Sequence, residues 1–130
     1  MGVRLASAFS STMIANVPAS GAETVILTTP TIGLTLDNAA VLIVWYLNQG
    51  IGTGTTTASA RLRRGTIVSG TLINLGPFLS VTAGANANFN GCYFDTPGIV
   101  GQVQYSLTLQ GTGTTGAFSN GDGCIIAFVL

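Results

Sequence analysis

The stretch QVQYSLTLQ, residues 102–110, alternates polar and apolar side chains without a break. Val103, Tyr105, Leu107 and Leu109 fall on one side; Gln102, Gln104, Ser106, Thr108 and Gln110 fall on the other. A period of two belongs to a β-strand with one face on a core, because successive side chains of a strand point to opposite faces. Working outward, the same reading repeats in short units divided by Gly, Pro, Asn and Asp, as in all-β domains. TASARLRRG (57–65) sets Ala58, Ala60 and Leu62 inward and Ser59, Arg61 and Arg63 outward. It leads through Arg64-Gly65 into TIVSGTLIN (66–74), which makes a hairpin of the two. ETVILTT (23–29) is a strand stopped by Pro30, and TIGLTL (31–36) puts Ile32, Leu34 and Leu36 on one face before a turn at Asp37-Asn38. GPFLSVTAG (76–84) and ANFNGCYFD (87–95) each hold a strand, the second closed by the turn TPG (96–98).

Two segments break the alternation. AAVLIVWYL (39–47) and CIIAFVL (124–130) carry apolar residues on both faces. Between strands, NQGIGTGTTT (48–57) and GTGTTGAFSNGDG (111–123) read as Gly-rich loops, with Asp122-Gly123 supplying a hairpin-type turn into the last strand. Residues 1–20 are weakly patterned and read as an extended N-terminal arm with one strand near Val3–Phe9; residues 21–130 form a single domain. No window holds a clean helical period. The fold class is therefore all-β: a jelly-roll-like β-sandwich of about eight short antiparallel strands. An immunoglobulin-like sandwich is the second reading. It fits less well because Cys92 and Cys124 both lie in the last third, with the single tryptophan, Trp45, outside the interval between them.

Charge is scarce. Charged residues are 6 % of the chain, with four Arg, no Lys, no His and a net charge of zero, against 47 % hydrophobic residues. That excludes a basic nucleic-acid footprint, gives no attraction to an anionic membrane, and suits a surface packed against copies of itself or a partner. The longest apolar run is about half of the ~20 residues of a membrane-spanning helix, and the N-terminus lacks the apolar core of a signal peptide. Without His or Lys, most acid–base and nucleophilic machinery is missing. Glu23, Asp37, Asp95 and Asp122 each sit beside an expected turn or strand end, where carboxylates bond neighbouring backbone. No catalytic residue, cofactor or metal site is expected: two Cys cannot hold zinc, and SNGDG (119–123) has too few oxygens for calcium. Cys92 and Cys124 are either a disulfide or two buried thiols, and with no sign of secretion the reduced thiols are the preferred reading.

In style, TTASARLRRGTIVSGTLI (56–73), VTAGANANF (81–89), DTPGIVGQVQYSLTLQGTG (95–113) and CIIAFVL resemble the small decoration, or cement, proteins of tailed bacteriophage heads. The resemblance covers about half the chain and rests on no motif. It implies a virion protein on the capsid surface, made in the host cytoplasm, usually trimeric, whose partners are itself and the major capsid protein. Ile126, Phe128 and Leu130 of the last strand would then serve an oligomer interface, covering the second face that a two-sheet sandwich leaves bare. Capsid contacts would come from the arm, through Val3, Leu5, Phe9, Met13 and Ile14, and from Arg61, Arg63 and Arg64, whose planar forks grip carboxylates. The alternatives are cover of that face by residues 1–20, a tail-fibre or carbohydrate-binding sandwich using Tyr93, Phe94 and Phe118, and a trimeric ligand of the tumour-necrosis-factor type.

Overall fold

A computed structural model describes residues 4–10, 17–18, 22–51, 55–82, 84–113 and 117–130. Among them every regular element is a strand: β1 (Arg4–Ser10), β2 (Val17–Pro18), β3 (Thr24–Thr28), β4 (Ile32–Leu34), β5 (Val41–Ile51), β6 (Thr55–Arg64), β7 (Thr71–Leu75), β8 (Leu79–Thr82), β9 (Asn86–Asp95), β10 (Gly101–Val103), β11 (Tyr105–Gly113) and β12 (Ala117–Val129). Sheet A runs β1-β12-β5-β9, with β2 also on β12; sheet B runs β3-β11-β6-β7, with β8 also on β6; β4 and β10 pair by themselves. All pairings are antiparallel and nest from the outside in: β1 with β12, β3 with β11, β4 with β10, β5 with β9, and β6 with β7 and β8. A long hairpin folded near residues 65–70 and rolled up on itself gives this nesting. The rolling adds the β12–β5 and β11–β6 ladders and produces a jelly roll.

The core lies between the two sheets. Sheet A contributes Val41, Ile43, Trp45, Leu47, Phe89, Ile125 and Ala127; sheet B contributes Ala58, Ala60, Leu62, Tyr105, Leu107 and Leu109. Each large aliphatic or aromatic side chain so buried contributes about 1.5–3 kcal/mol. The inward residues of 57–65 and of 102–110 are the ones the alternation selected. The alternation of 102–110 is interrupted in space at Gln104. Val103 belongs to β10 and Tyr105 to β11, while the Gln104 carbonyl accepts from the Gly65 amide at 2.8 Å and its Nε2 donates to the Thr29 carbonyl at 3.0 Å.

The structure corrects two loops. β12 runs straight through Asp122 and Gly123, so there is no turn at that pair; Gly123 lies opposite Leu47 in the ladder. A Cβ at Gly123 would meet the Leu27 and Leu47 Cδ1 atoms at 3.0 Å and the Tyr46 carbonyl at 3.2 Å. Close approach of neighbouring chains, not turn geometry, is what this glycine permits. Likewise β5 continues to Ile51 and β6 begins at Thr55, which leaves residues 52–54 between them. Asp37 lies in the expected turn, across which the Ala39 amide donates to the Leu36 carbonyl at 3.3 Å; the other three carboxylates are engaged differently. Glu23, Asp95 and Asp122 each accept from side chains far away in sequence.

Asp95 ties the sheets together. It ends β9 in sheet A and is buried. It accepts from Arg64 Nε at 2.7 Å and from Tyr105 Oη at 2.8 Å, with Arg64 Nη2 on its other oxygen; both partners belong to sheet B. Burial, then the hydrogen bond to Asp95 and its charge, push the Tyr105 phenol far above its ordinary pKa, against a smaller opposing effect of Arg64.

Candidate interaction surface on sheet A

Strands β5 and β12 sit side by side in the middle of sheet A, in register from Val41↔Val129 to Leu47↔Gly123. Their odd-numbered residues fill the core. Their even-numbered residues face away from it in cross-strand rows that β9 continues: Phe128–Leu42–Phe94, Ile126–Val44–Cys92 and Cys124–Tyr46–Asn90. None of these residues is buried; Val44 is 39 % exposed, Tyr46 37 % and Phe94 65 %. Eight of the nine are apolar or sulfur-bearing, and none is charged. At ~4.8 Å between strands and ~6.7 Å between successive outward residues, eight such positions cover roughly 250 Å².

Residues 4–10 do not lie across this face. β1 extends it in the plane, pairing along β12 from Arg4↔Val129 to Ser10↔Gly123. The register sets Leu5 opposite Phe128 and Phe9 opposite Cys124, at the end of two of the rows. Val3, Met13 and Ile14 lie outside the described residues. Of the residues expected at an oligomer interface, Ile126 and Phe128 stand half-buried on the face and Leu130, 55 % exposed, lies just beyond β12. Cys92 is exposed and Cys124 half-buried, on strands either side of β5. Both are free thiols, and neither is the buried residue expected from the sequence.

Toward its other end the face turns polar. Asn48 lies between Asp122 and Asn88, and the Tyr46 hydroxyl donates to Asp122 Oδ2 at 2.8 Å. That hydrogen bond, followed by desolvation and the nearby negative charge, raises the Tyr46 pKa. Of the aromatics that a glycan site would use, Phe94 is on the face, Tyr93 packs against the core, and Phe118 takes its place in the ladder opposite Val17 and Ile51.

The three arginines stand elsewhere and are engaged within the chain. Arg61 and Arg63 project from the outer side of sheet B onto Glu23: Arg61 Nη1 donates to Oε2 at 2.9 Å, Arg63 Nε to Oε1 at 2.6 Å and Arg63 Nη2 to Oε2 at 2.8 Å. Thr108 adds its hydroxyl to Oε1. The charged side chains of this group are only 13–15 % exposed. Burial pushes the Glu23 pKa up, but hydrogen bonds from Arg63 and Thr108 and the charges of Arg63 and Arg61 outweigh it and hold the carboxyl below its ordinary value. Arg64 is the partner of Asp95.

The face residues that sequence reasoning missed are Leu42, Val44 and Tyr46, while Cys92 was read only as a thiol and Phe94 only as an aromatic of a glycan site. Two-faced apolarity marked β5; only the strand order reveals that its second face joins those of β12 and β9.

No family model matches the chain, and no curated protein matches its sequence. Its fold has counterparts among solved structures. The chain superposes over 98 % of its length on the structure of the infectious bursal disease virus Gx strain, with a TM-score of 0.63 and 11 % identity. It matches the Gt strain of the same virus at a TM-score of 0.53 and 9 % identity, and the D431N mutant VP2 protein from T=1 particles of that virus at 0.50 and 9 %, again over 98 % of its length. It spans about a third of those chains, 32 %, 32 % and 35 % respectively. At these identities the likeness is one of fold.

Proposed function

We propose that the chain is a structural protein of a virus particle, a decoration or cement protein that binds the outer surface of a capsid and stiffens the head. The observation that carries this reading is the uncharged apolar outer face of sheet A, exposed on a chain with almost no charge elsewhere to keep it apart from other molecules. The fold shared with a virus capsid protein supports it, as does the resemblance to tailed-phage decoration proteins. The mechanism is burial. Each copy covers its outer face against the capsid lattice, and no bond is made or broken. A face of roughly 250 Å² is well below the ~800 Å² per partner of a standard stable complex. One copy alone would bind weakly. An array of copies linked to one another binds strongly, because each further contact forms at high effective concentration.

The test is co-sedimentation of purified protein with empty capsids from its source, comparing wild type with Val44→Glu. Stoichiometric wild-type binding, abolished by a charge at this exposed position in a variant that still melts cooperatively, supports the proposal. Wild-type protein that stays in the supernatant, or a Val44→Glu variant that binds equally well, refutes it. Binding to a glycan array in place of capsids would make the same face a receptor-binding surface.

A further inference from the structure

Among the described residues the two sheets have four long edges, and three carry features that oppose the addition of another strand. In sheet B, β3 carries an extra residue at Ile26 and β7 one at Ile73, where their registers with β11 and β6 shift. Both isoleucines turn toward the core, and a bulge of this kind twists an edge away from a would-be partner. Beyond them, Pro30 follows β3 and Gly76-Pro77 interrupts the edge between β7 and β8. In sheet A, β1 is 7 residues long and opens with a charged residue, Arg4, which the register sets opposite Val129. A charge on an edge strand opposes pairing.

β9 has none of these. It is 10 residues long, pairs with β5 from Asn86 to Asp95 without a register shift, and contains no proline. Among the described residues no strand lies on its far side. Its one charge, Asp95, is buried and neutralised by Arg64. Its outward residues Asn86, Asn88, Asn90, Cys92 and Phe94 are all exposed and uncharged. Such an edge presents a row of unpaired backbone donors and acceptors that only another strand satisfies in full.

We infer that β9 is a self-association edge: two copies of the chain pair β9 with β9 antiparallel, joining two A sheets into one continuous sheet. The occupant follows from the inventory of edges. A second copy offers four of its own, three are obstructed, and the fourth is β9. Uncharged and self-complementary, β9 meets itself without repulsion, and a two-fold axis closes the contact so that no filament grows. The axis runs perpendicular to the sheet. Side chains directly opposite in a ladder share a face, so the axis passes through a residue, and the longest overlap puts it at Asn90 or Gly91. The apolar rows of the two copies then lie on one side of one sheet. The unit is two-fold, in place of the trimer expected from sequence. The inference is independent of what the outer face binds.

The test is sedimentation equilibrium of the wild-type chain and of Asn88→Lys/Asn90→Lys, two exposed positions whose change leaves the core untouched. A wild-type dimer at micromolar concentration and a variant whose dissociation constant rises at least ~10-fold, with an unchanged melting curve, are the expected results, since like charges opposite one another oppose pairing. Cysteine chemistry checks the register. Asn90→Cys in a Cys92→Ser/Cys124→Ser background gives a disulfide-linked dimer when the axis is at Asn90; Asn90→Cys with Cys92 retained and Cys124→Ser gives one when it is at Gly91. A monomeric wild type, a trimer insensitive to the lysines, or failure of both cross-links overturns the inference. So does a monomer whose binding to capsids is lost on adding the lysines, since the occupant of the edge is then a capsid strand. Val44→Glu separates the two readings: it should stay dimeric while losing capsid binding.

Discussion

Asp95→Ala tests whether one carboxylate fastens the two sheets. The substitution removes the carboxylate that accepts from the Tyr105 hydroxyl and both oxygens that hold Arg64. Tyr105 is fully buried, and leaving its hydroxyl unsatisfied costs about 1–3 kcal/mol. The Arg64 side chain is 26 % exposed, so water takes over part of its solvation; its loss of charge-assisted bonds is discounted to about 1 kcal/mol. The sum is about 3 kcal/mol. For a chain of this size that lowers the melting temperature by roughly 10–15 °C. Urea unfolding followed by tryptophan fluorescence measures it, with an unchanged m-value showing that the folded state stays compact. Tyr105→Phe in the same background should then cost little or nothing, because the orphaned hydroxyl is gone. The reasoning fails if Asp95→Ala costs under ~1 kcal/mol, or if Tyr105→Phe costs the same with and without Asp95. Either result would mean that apolar packing alone holds the sheets at this end.

Glu23→Gln should flatten the acid limb of stability. A carboxyl held below its ordinary pKa stabilises above the unfolded value of ~4.3 and loses that contribution as pH falls through the lower folded value, so melting scans from pH 5 to 2 should show a steeper decline for wild type. At the alkaline end, spectrophotometric titration of the tyrosines should lose one late-ionising phenol in Tyr46→Phe; a raised phenol pKa stabilises below ~10 and loses that contribution as pH rises through the folded value. Gly123→Ala should cost about 1–3 kcal/mol by overpacking against Leu27 and Leu47, measured by chemical unfolding, whereas a turn glycine at an open position would tolerate the change. Ile125→Ala, in the core, should cost about 2–5 kcal/mol, while Phe128→Ala, half-buried on the outer face, should cost the isolated chain far less and show its effect in capsid binding.

Where polar and apolar residues alternate, the sequence is easy to read: residues 57–65 and 102–110 showed their core-facing residues by alternation alone, although Ser59, Ser106 and Thr108 on the other side are buried too, and β9 began and ended within a residue of its expected bounds. Gly123 misled because a glycine required by packing and a glycine required by a turn look the same in one dimension. Glu23 and Asp95 misled for a related reason. Their partners are 38 to 85 residues away for Glu23 and 31 residues away for Asp95 and Arg64, distances over which local turn chemistry has nothing to say. The outer face was half legible. Apolarity on both sides of 39–47 and 124–130 announced a surface in need of cover, but its third contributor, β9, and the edge that β9 leaves open depend on strand order.

The nested pairing has a consequence for synthesis. β12 leaves the ribosome after every strand it pairs with, yet it sits between β1 and β5, with 7 residues of ladder on one side and eleven-residue β5 on the other. Until residue 129 has emerged, β1 has no neighbour and β5 shows the nascent chain a bare edge as well as a bare face. Sheet A therefore cannot assemble co-translationally from its beginning. Its closure is a late event made of non-local contacts, which are slow to form. For roughly 6–25 s at elongation rates of ~5–20 residues per second, the nascent chain is the species most exposed to aggregation and most dependent on chaperones. Overexpression should accordingly be limited by the rate at which β12 is delivered, and lower growth temperature should favour the folded product.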